Sequence, residues 1–214
     1  MNPSDLDAVL AAVLADRRLL DHPFYRRWGA GDVDMAELSA YAAQYRHFEA
    51  ALPGYLAKLE AGLPEGPARD AVAANRADEL GDPVPHVELF DAFASAVGAA
   101  PEQPTAATGA LIATYDELVA SGAVSGLAGL LAYESQASEV AASKADGLRR
   151  HYGLDDAGVR FWEHHSAADA RHGAWLRDAV AQQAEDSRAT AVAARRAADA
   201  WWAFLDEREA ARAA

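Results

Sequence analysis

The pattern of apolar and polar positions along the chain reads as helical almost throughout. Runs of β-branched residues do not occur, so strand signals are nearly absent, while the strong helix formers Ala, Leu, Glu and Arg dominate. Ser4 with Asp7 forms a capping-box pattern that predicts a first helix running to about Leu20, and His22-Pro23 interrupts it. PFYRRWGAG then reads as a short helix or turn. Asp34 is placed to cap a long helix through Leu63, with Pro53 as a predicted kink. Another helix is expected from about Pro67 to Leu80, stopping at Gly81-Asp82-Pro83, and Pro85 starts HVELFDAFASAVG. Segments 105–121 and 123–152 follow, then a helix capped by Asp155 through about Ala184, and a last one beginning at Ser187. The prediction is seven or eight helices joined by short connections, packed as an α-bundle or in a globin-like way.

Composition narrows the class. With 214 residues, 51% of them hydrophobic, the chain suits one domain with a sizeable core, or two small ones at a stretch. No apolar run approaches the roughly 18 residues needed to cross a bilayer. The N-terminal apolar stretch has no basic segment ahead of it, so no secretory signal is expected. A net charge of −14 argues against nucleic acid and anionic membranes as partners. Cysteine is absent, which excludes disulfides, thiolate metal sites and a cysteine nucleophile, and leaves the cytoplasm as the default compartment. Lys58 and Lys144 are the only lysines.

The densest chemistry lies in HHSAADARH. His165, Asp169 and His172 are spaced i, i+4, i+7, which puts them within a sector of about 60° on one helix face. Imidazole and carboxylate are common ligands for iron, zinc or manganese. The alternative is a solvated polar face that happens to hold histidines, and His164 points away from the sector. Glu79 and His86 bracket the segment ELGDPVPH, where glycine and two prolines break the helix, so both can aim inward at an irregular junction. Glu134 follows an apolar stretch on a long helix, and a carboxylate there needs a partner if it is buried.

Together, Glu79-x6-His86, Glu134 and His165-x3-Asp169-x2-His172 resemble the ligand set of the haem-oxygenase-like dimetal oxidases. The resemblance covers essentially the whole chain. It implies a single all-α, haem-oxygenase-like helical domain over 1–214 and two non-haem metal ions (Fe/Fe or Fe/Mn) held by those six residues. It also implies dioxygen and an external reductant as co-substrates. Within that family the chain is most similar to the CADD-like branch, named for the chlamydial protein associating with death domains and linked to para-aminobenzoate synthesis for folate. In that branch the aromatic product is thought to be cut from the protein's own tyrosine, with an internal lysine giving the amino group. The matching positions are Tyr25 in HPFYRRW as the consumed residue, Lys144 as the amine source and Tyr41 as an auxiliary tyrosine. Tyr133 directly precedes a ligand position. Lys144 lies ten residues after Glu134, about 15 Å along and some 80° round a straight helix, so a bend, local unwinding or the lysine's own reach has to close a gap.

Two other readings remain open at this point. One is a dimetal oxidase acting on a diffusible amino acid or fatty acid. The other is a helical interaction module with a non-catalytic metal site. A thiaminase-like relative would normally show a catalytic cysteine, and a ferritin-like one Glu-x-x-His pairs; neither is present. A homodimer and an unidentified electron donor are the expected partners. Trp201-Trp202-Ala203-Phe204 is expected in the core or at a dimer contact, and Arg26 and Arg27 are paired surface arginines.

Overall fold

The computed structural model describes residues 1–81 and 84–212. Among them are nine α-helices and no strand: α1 (Pro3–Leu14), α2 (Pro23–Ala30), α3 (Met35–Gly62), α4 (Pro67–Leu80), α5 (His86–Ala96), α6 (Ala106–Ala120), α7 (Ala123–Gly147), α8 (Asp156–Gln183) and α9 (Ser187–Ala211). The count exceeds the expected seven or eight because PFYRRWGA closes as a true helix. It has proline in its first turn, His22 as its N-cap and left-handed Gly31 at its end.

Local chemistry explains most of the boundaries. Asp34 and Glu37 form a reciprocal capping box at the start of α3, and that helix runs on through Pro53. Asp155 caps α8 by accepting from the Gly158 amide. The first helix departs from expectation at both ends. Its N-cap is Asn2, which accepts from the Asp5 amide, because Pro3 is better suited to the first helical position than Ser4 is to the cap. It ends at Leu14, and Leu19–Asp21 forms a separate 3₁₀ turn. The 123–152 segment is α-helical only to Gly147 and continues as a π turn over Leu148–Tyr152. Gly81 ends α4 at φ 65°, and a Cβ there would stand 2.0 Å from the Val84 carbonyl oxygen, so only glycine makes this turn. The Asp82–Pro83 part of the predicted break lies outside the described residues.

The helix α7 is the axis of the core. It packs along α8 and α9, while α4 and α5 both lie against α8, and α3 packs on α4, α5 and α6. Leu127 to Tyr133 on α7 are all buried, as a helix enclosed on several sides requires. An aromatic layer including Phe48, Phe90, Phe93, Trp162, Trp201 and Phe204 fills the space between helices. Each such burial contributes roughly 1.5–3 kcal/mol. Trp201 and Phe204 are therefore core residues, and half-buried Trp202 meets the His22 ring edge-on. His22 itself is buried, and its Nε2 pairs with Asp206, tying α2 to α9. Arg27 pairs with Glu37 and Glu209 and serves the packing of α2.

Candidate metal centre

Four helices bring the six predicted ligand residues to one place. His165, Asp169 and His172 face inward from α8, Glu79 comes from the last turn of α4, His86 from the first residue of α5, and Glu134 from the middle of α7. All six are buried. They fall into two groups of three, Glu79 with His86 and His165, and Glu134 with Asp169 and His172. In each group the potential ligand atoms lie within 4.8 Å of one another. Gly173 allows this approach of α7 and α8, since a Cβ there would lie 3.3 Å from the Glu134 carbonyl oxygen.

Hydrogen bonding leaves the inward-facing atoms free. His165 Nδ1 is 2.8 Å from the Phe161 carbonyl, to which it donates, and His165 Nε2 has no partner. His172 Nε2 is 2.7 Å from the Asp78 carboxylate, and its Nδ1 has no hydrogen-bond partner, lying 3.4 Å from Glu79 and 3.6 Å from Asp169. Glu134 Oε2 is also buried and unpartnered. Buried polar atoms without partners are rare in folded proteins, and here they point the lone pairs of two imidazoles and a carboxylate at one region. The donor set fits a metal centre, and Asp78 is the carboxylate that orients a ligating histidine.

The electrostatics agree with this geometry. Burial, reinforced by Asp169, Glu79 and Glu49, holds the Glu134 carboxyl well above its ordinary pKa, and burial with Glu79 does the same to Asp169. Burial also pushes Glu79 upward, but the His86 hydrogen bond at 2.9 Å and the neighbouring imidazoles outweigh it and leave its pKa lowered. Burial lowers His165 to about 3. These groups oppose one another until a cation stands among them. A cavity of about 200 Å³, lined by Asp78, His86, Arg160 and His164 among others, adjoins the His86 edge. His164 is exposed and sits edge-on to His86.

Beside this centre lies a second buried cluster. Lys144 is 2% exposed, and its Nζ donates to the Tyr41 hydroxyl at 2.6 Å. The Tyr41 hydroxyl is in turn 2.8 Å from that of Tyr25. The lysine nitrogen stands 3.9 Å from the Trp162 ring centre, 4.5 Å from Tyr25, 4.8 Å from Tyr45, 5.0 Å from Tyr41 and 5.7 Å from Trp28. Burial pushes the lysine pKa well below its ordinary value, against the pull of Glu49 and Asp169. Burial likewise raises Tyr25, keeping it a phenol. The gap foreseen along α7 is not closed by unwinding, since α7 is continuous to Gly147. The separation of Lys144 from Glu134 along that helix remains, and it is Tyr25 from α2 and Tyr41 from α3 that reach the lysine. Tyr45 stacks on Tyr41 at 5.4 Å and hydrogen-bonds to Tyr133, which precedes Glu134.

Sequence reasoning passed over Glu49, Tyr45, Asp78 and Trp162. Tyr41, Tyr45 and Glu49 recur every four residues, a helical stripe that was visible in the sequence. Asp78 had no such signal, because its role depends on how α4 packs on α8.

Residues 39–204 match the family described as iron-containing redox enzymes. A protein of Nitrosomonas europaea named 4-aminobenzoate synthase is 34% identical, over 91% of this chain and 87% of its own length. One of the same name from Chlamydia muridarum is 29% identical, over 92% of this chain and 87% of its own. The crystal structure of a CADD-like protein from Nostoc punctiforme has the same fold, with a TM-score of 0.79, 21% identity and 96% of each chain covered. On the family match and the relative in Nitrosomonas, the chain belongs to the iron-containing redox enzymes.

Proposed function

We propose that this enzyme makes 4-aminobenzoate from its own Tyr25, with Lys144 as the amino donor. The names of the relatives in Nitrosomonas and Chlamydia support the product. The observation that carries the residue assignment is the reach of Lys144, whose nitrogen is 2.6 Å from the Tyr41 hydroxyl and 4.5 Å from the Tyr25 ring centre. Glu79, His86 and His165 would hold one ion and Glu134, Asp169 and His172 a second, as Fe/Fe or Fe/Mn. When bound, such a pair activates dioxygen, with electrons drawn from an external reductant.

The chain's own residues prepare the rest. Desolvation in the aromatic cage drives Lys144 towards its neutral amine, the form that is nucleophilic. Tyr41 accepts the lysine's hydrogen bond and offers its own proton to Tyr25, which fixes the two reacting groups side by side. Tyr25 is 3% exposed, so bulk water is kept from the ring. Tyr45, one wall of the cage around Lys144, hydrogen-bonds to Tyr133, the residue before Glu134.

Intact-mass analysis and peptide mapping, before and after reaction with metal, reductant and dioxygen, test the proposal. The expected result is mass lost at Tyr25, a changed Lys144, and about one product per chain. An unaltered chain with repeated turnover of an added amino acid or fatty acid would establish the diffusible-substrate oxidase instead.

A further inference from the structure

Away from the ligand groups, a cavity of about 330 Å³ is lined by Phe24, Asp34, Glu37, Ala40, Arg208 and Arg212 among others, where α2 and the start of α3 meet the end of α9. Its volume lies at the small end of the roughly 300–1,000 Å³ usual for small-molecule sites, which suits a single ring. Phe24 is the wall it shares with the tyrosine–lysine cage. That ring is fully buried, stacks on Tyr41 at 5.4 Å and stands 6.0 Å from the ring of Tyr25. A single side chain thus borders both the cavity and the ring proposed to be consumed.

The lining combines three kinds of chemistry. Phe24 and Ala40 are apolar, Arg208 and Arg212 belong to the end of α9, and Asp34 and Glu37 to the start of α3. Arg208 is the unusual member. It is 8% exposed, and the hydrogen bonds found for it run through Nη2 alone, to the Thr105 hydroxyl at 3.2 Å and to Glu207. Its Nε is buried with no partner among the described residues. A guanidinium carries five N–H donors in a fork that matches a carboxylate, so the protein itself satisfies this one only in part. Arg212 is exposed and lies 3.8 Å from Glu209. The two acidic residues are already engaged, since Asp34 accepts from the Glu37 amide at 2.8 Å and Glu37 meets Arg27 at 2.5 Å.

We propose that this cavity holds the aromatic carboxylate product on its way out, with Arg208 and Arg212 taking the carboxylate and Phe24 the ring. The inference rests on the reading that Tyr25 is turned into 4-aminobenzoate, and it adds a route of release. An arylcarboxylate left in the aromatic cage would be a buried charge, which is strongly unfavourable. Beyond Phe24 it meets two guanidinium groups instead. The para amine is an uncharged donor, and Asp34 and Glu37 offer it acceptors. Rotation of the Phe24 ring joins cage and cavity.

Equilibrium dialysis of 4-aminobenzoate against the full metal-loaded chain, under nitrogen so that nothing turns over, tests this. Saturable binding to the unsubstituted chain is expected. Aniline, which lacks the carboxylate, is expected to bind at least about tenfold more weakly, as is 4-aminobenzoate to Arg208→Met, since each loses a charge-assisted hydrogen bond. Arg208→Lys keeps the charge without the fork, is expected to fall between, and serves if the methionine variant does not fold. Ala40→Phe, at an exposed position, fills the cavity without entering the core and is expected to remove the binding. If 4-aminobenzoate does not bind, or binds Arg208→Met or Ala40→Phe as tightly as the unsubstituted chain, the inference is overturned. The proposed function fails separately. A chain that binds 4-aminobenzoate in the expected way yet keeps Tyr25 intact after reaction supports the cavity and overturns the consumption of Tyr25.

Discussion

The nitrogen of Lys144 and the hydroxyl of Tyr41 are 2.6 Å apart in the protein interior, and that same hydroxyl is 2.8 Å from Tyr25. One phenol thus holds both the amine and the ring that the proposed chemistry joins. Tyr41→Phe removes the partner of each while keeping the ring. A buried donor left without an acceptor costs about 1–3 kcal/mol. The metal-free variant is expected to lose stability of that order in denaturant titration. Its metal content should stay unchanged while the yield of aromatic product per chain falls. An unchanged yield would show that Tyr41 positions neither group.

Asp78 accepts from His172 Nε2 at 2.7 Å and also meets Arg171 at 3.2 Å. The first contact fixes the imidazole tautomer so that Nδ1 faces the ligand groups. Asp78→Ala leaves all six ligand residues in place but frees the ring. Affinity for manganese(II) or iron(II) is expected to drop by about 10–100-fold. Asp78→Asn should recover part of it, since the amide oxygen still accepts. Equal affinity in all three proteins would deny Asp78 any orienting role.

Much of this was legible in the sequence, for reasons that differ from residue to residue. The spacing of His165, Asp169 and His172 defines a helix face without tertiary information, because the chain between them has no proline or glycine. Glu79 and His86 were legible because the break between them is written in glycine and proline. The burial of Lys144 was not, since a lysine on an Ala-rich helix is usually solvated, and only the approach of α2 and α3 encloses it. The same limit hid Asp78, whose partner His172 comes from another helix. The start of α1 was misplaced because Ser4 satisfied a local capping rule that Asn2 and Pro3 satisfy better.

Gly173 lies one residue after His172 and faces the backbone of Glu134, the ligand across the helix interface. A Cβ at this position would be 3.3 Å from the Glu134 carbonyl oxygen, tight enough to push α7 and α8 apart by a few tenths of an ångström. Ligand sites tolerate little displacement. Gly173→Val should therefore loosen the Glu134–Asp169–His172 group while leaving helix content intact. One manganese ion per chain should be lost, or bound more weakly, with the circular dichroism spectrum unaltered. Two ions held with unaltered affinity would mean that the close packing at Gly173 is not what spaces this group.

Protonation sets the conditions under which the centre fills. Glu134 and Asp169 have folded pKa values raised above those of the unfolded chain, chiefly by burial. Their contribution to stability is present below about pH 4 and is lost as pH rises through the folded values. His165 acts in the opposite sense. With a folded pKa of about 3, it stays neutral while the unfolded imidazole takes up a proton below about 6.5, so stability is lost as pH falls through that interval. The metal-free chain is therefore weakened from both sides. A bound cation relieves the carboxylate side by displacing their protons, so ion binding and proton release are linked. The rise in Tm produced by manganese(II) should grow from pH 5.5 to pH 8, and an indicator dye in weak buffer should report protons released on binding. A Tm increment independent of pH, with no proton release, would mean that the two carboxylates are already ionised before the metal arrives.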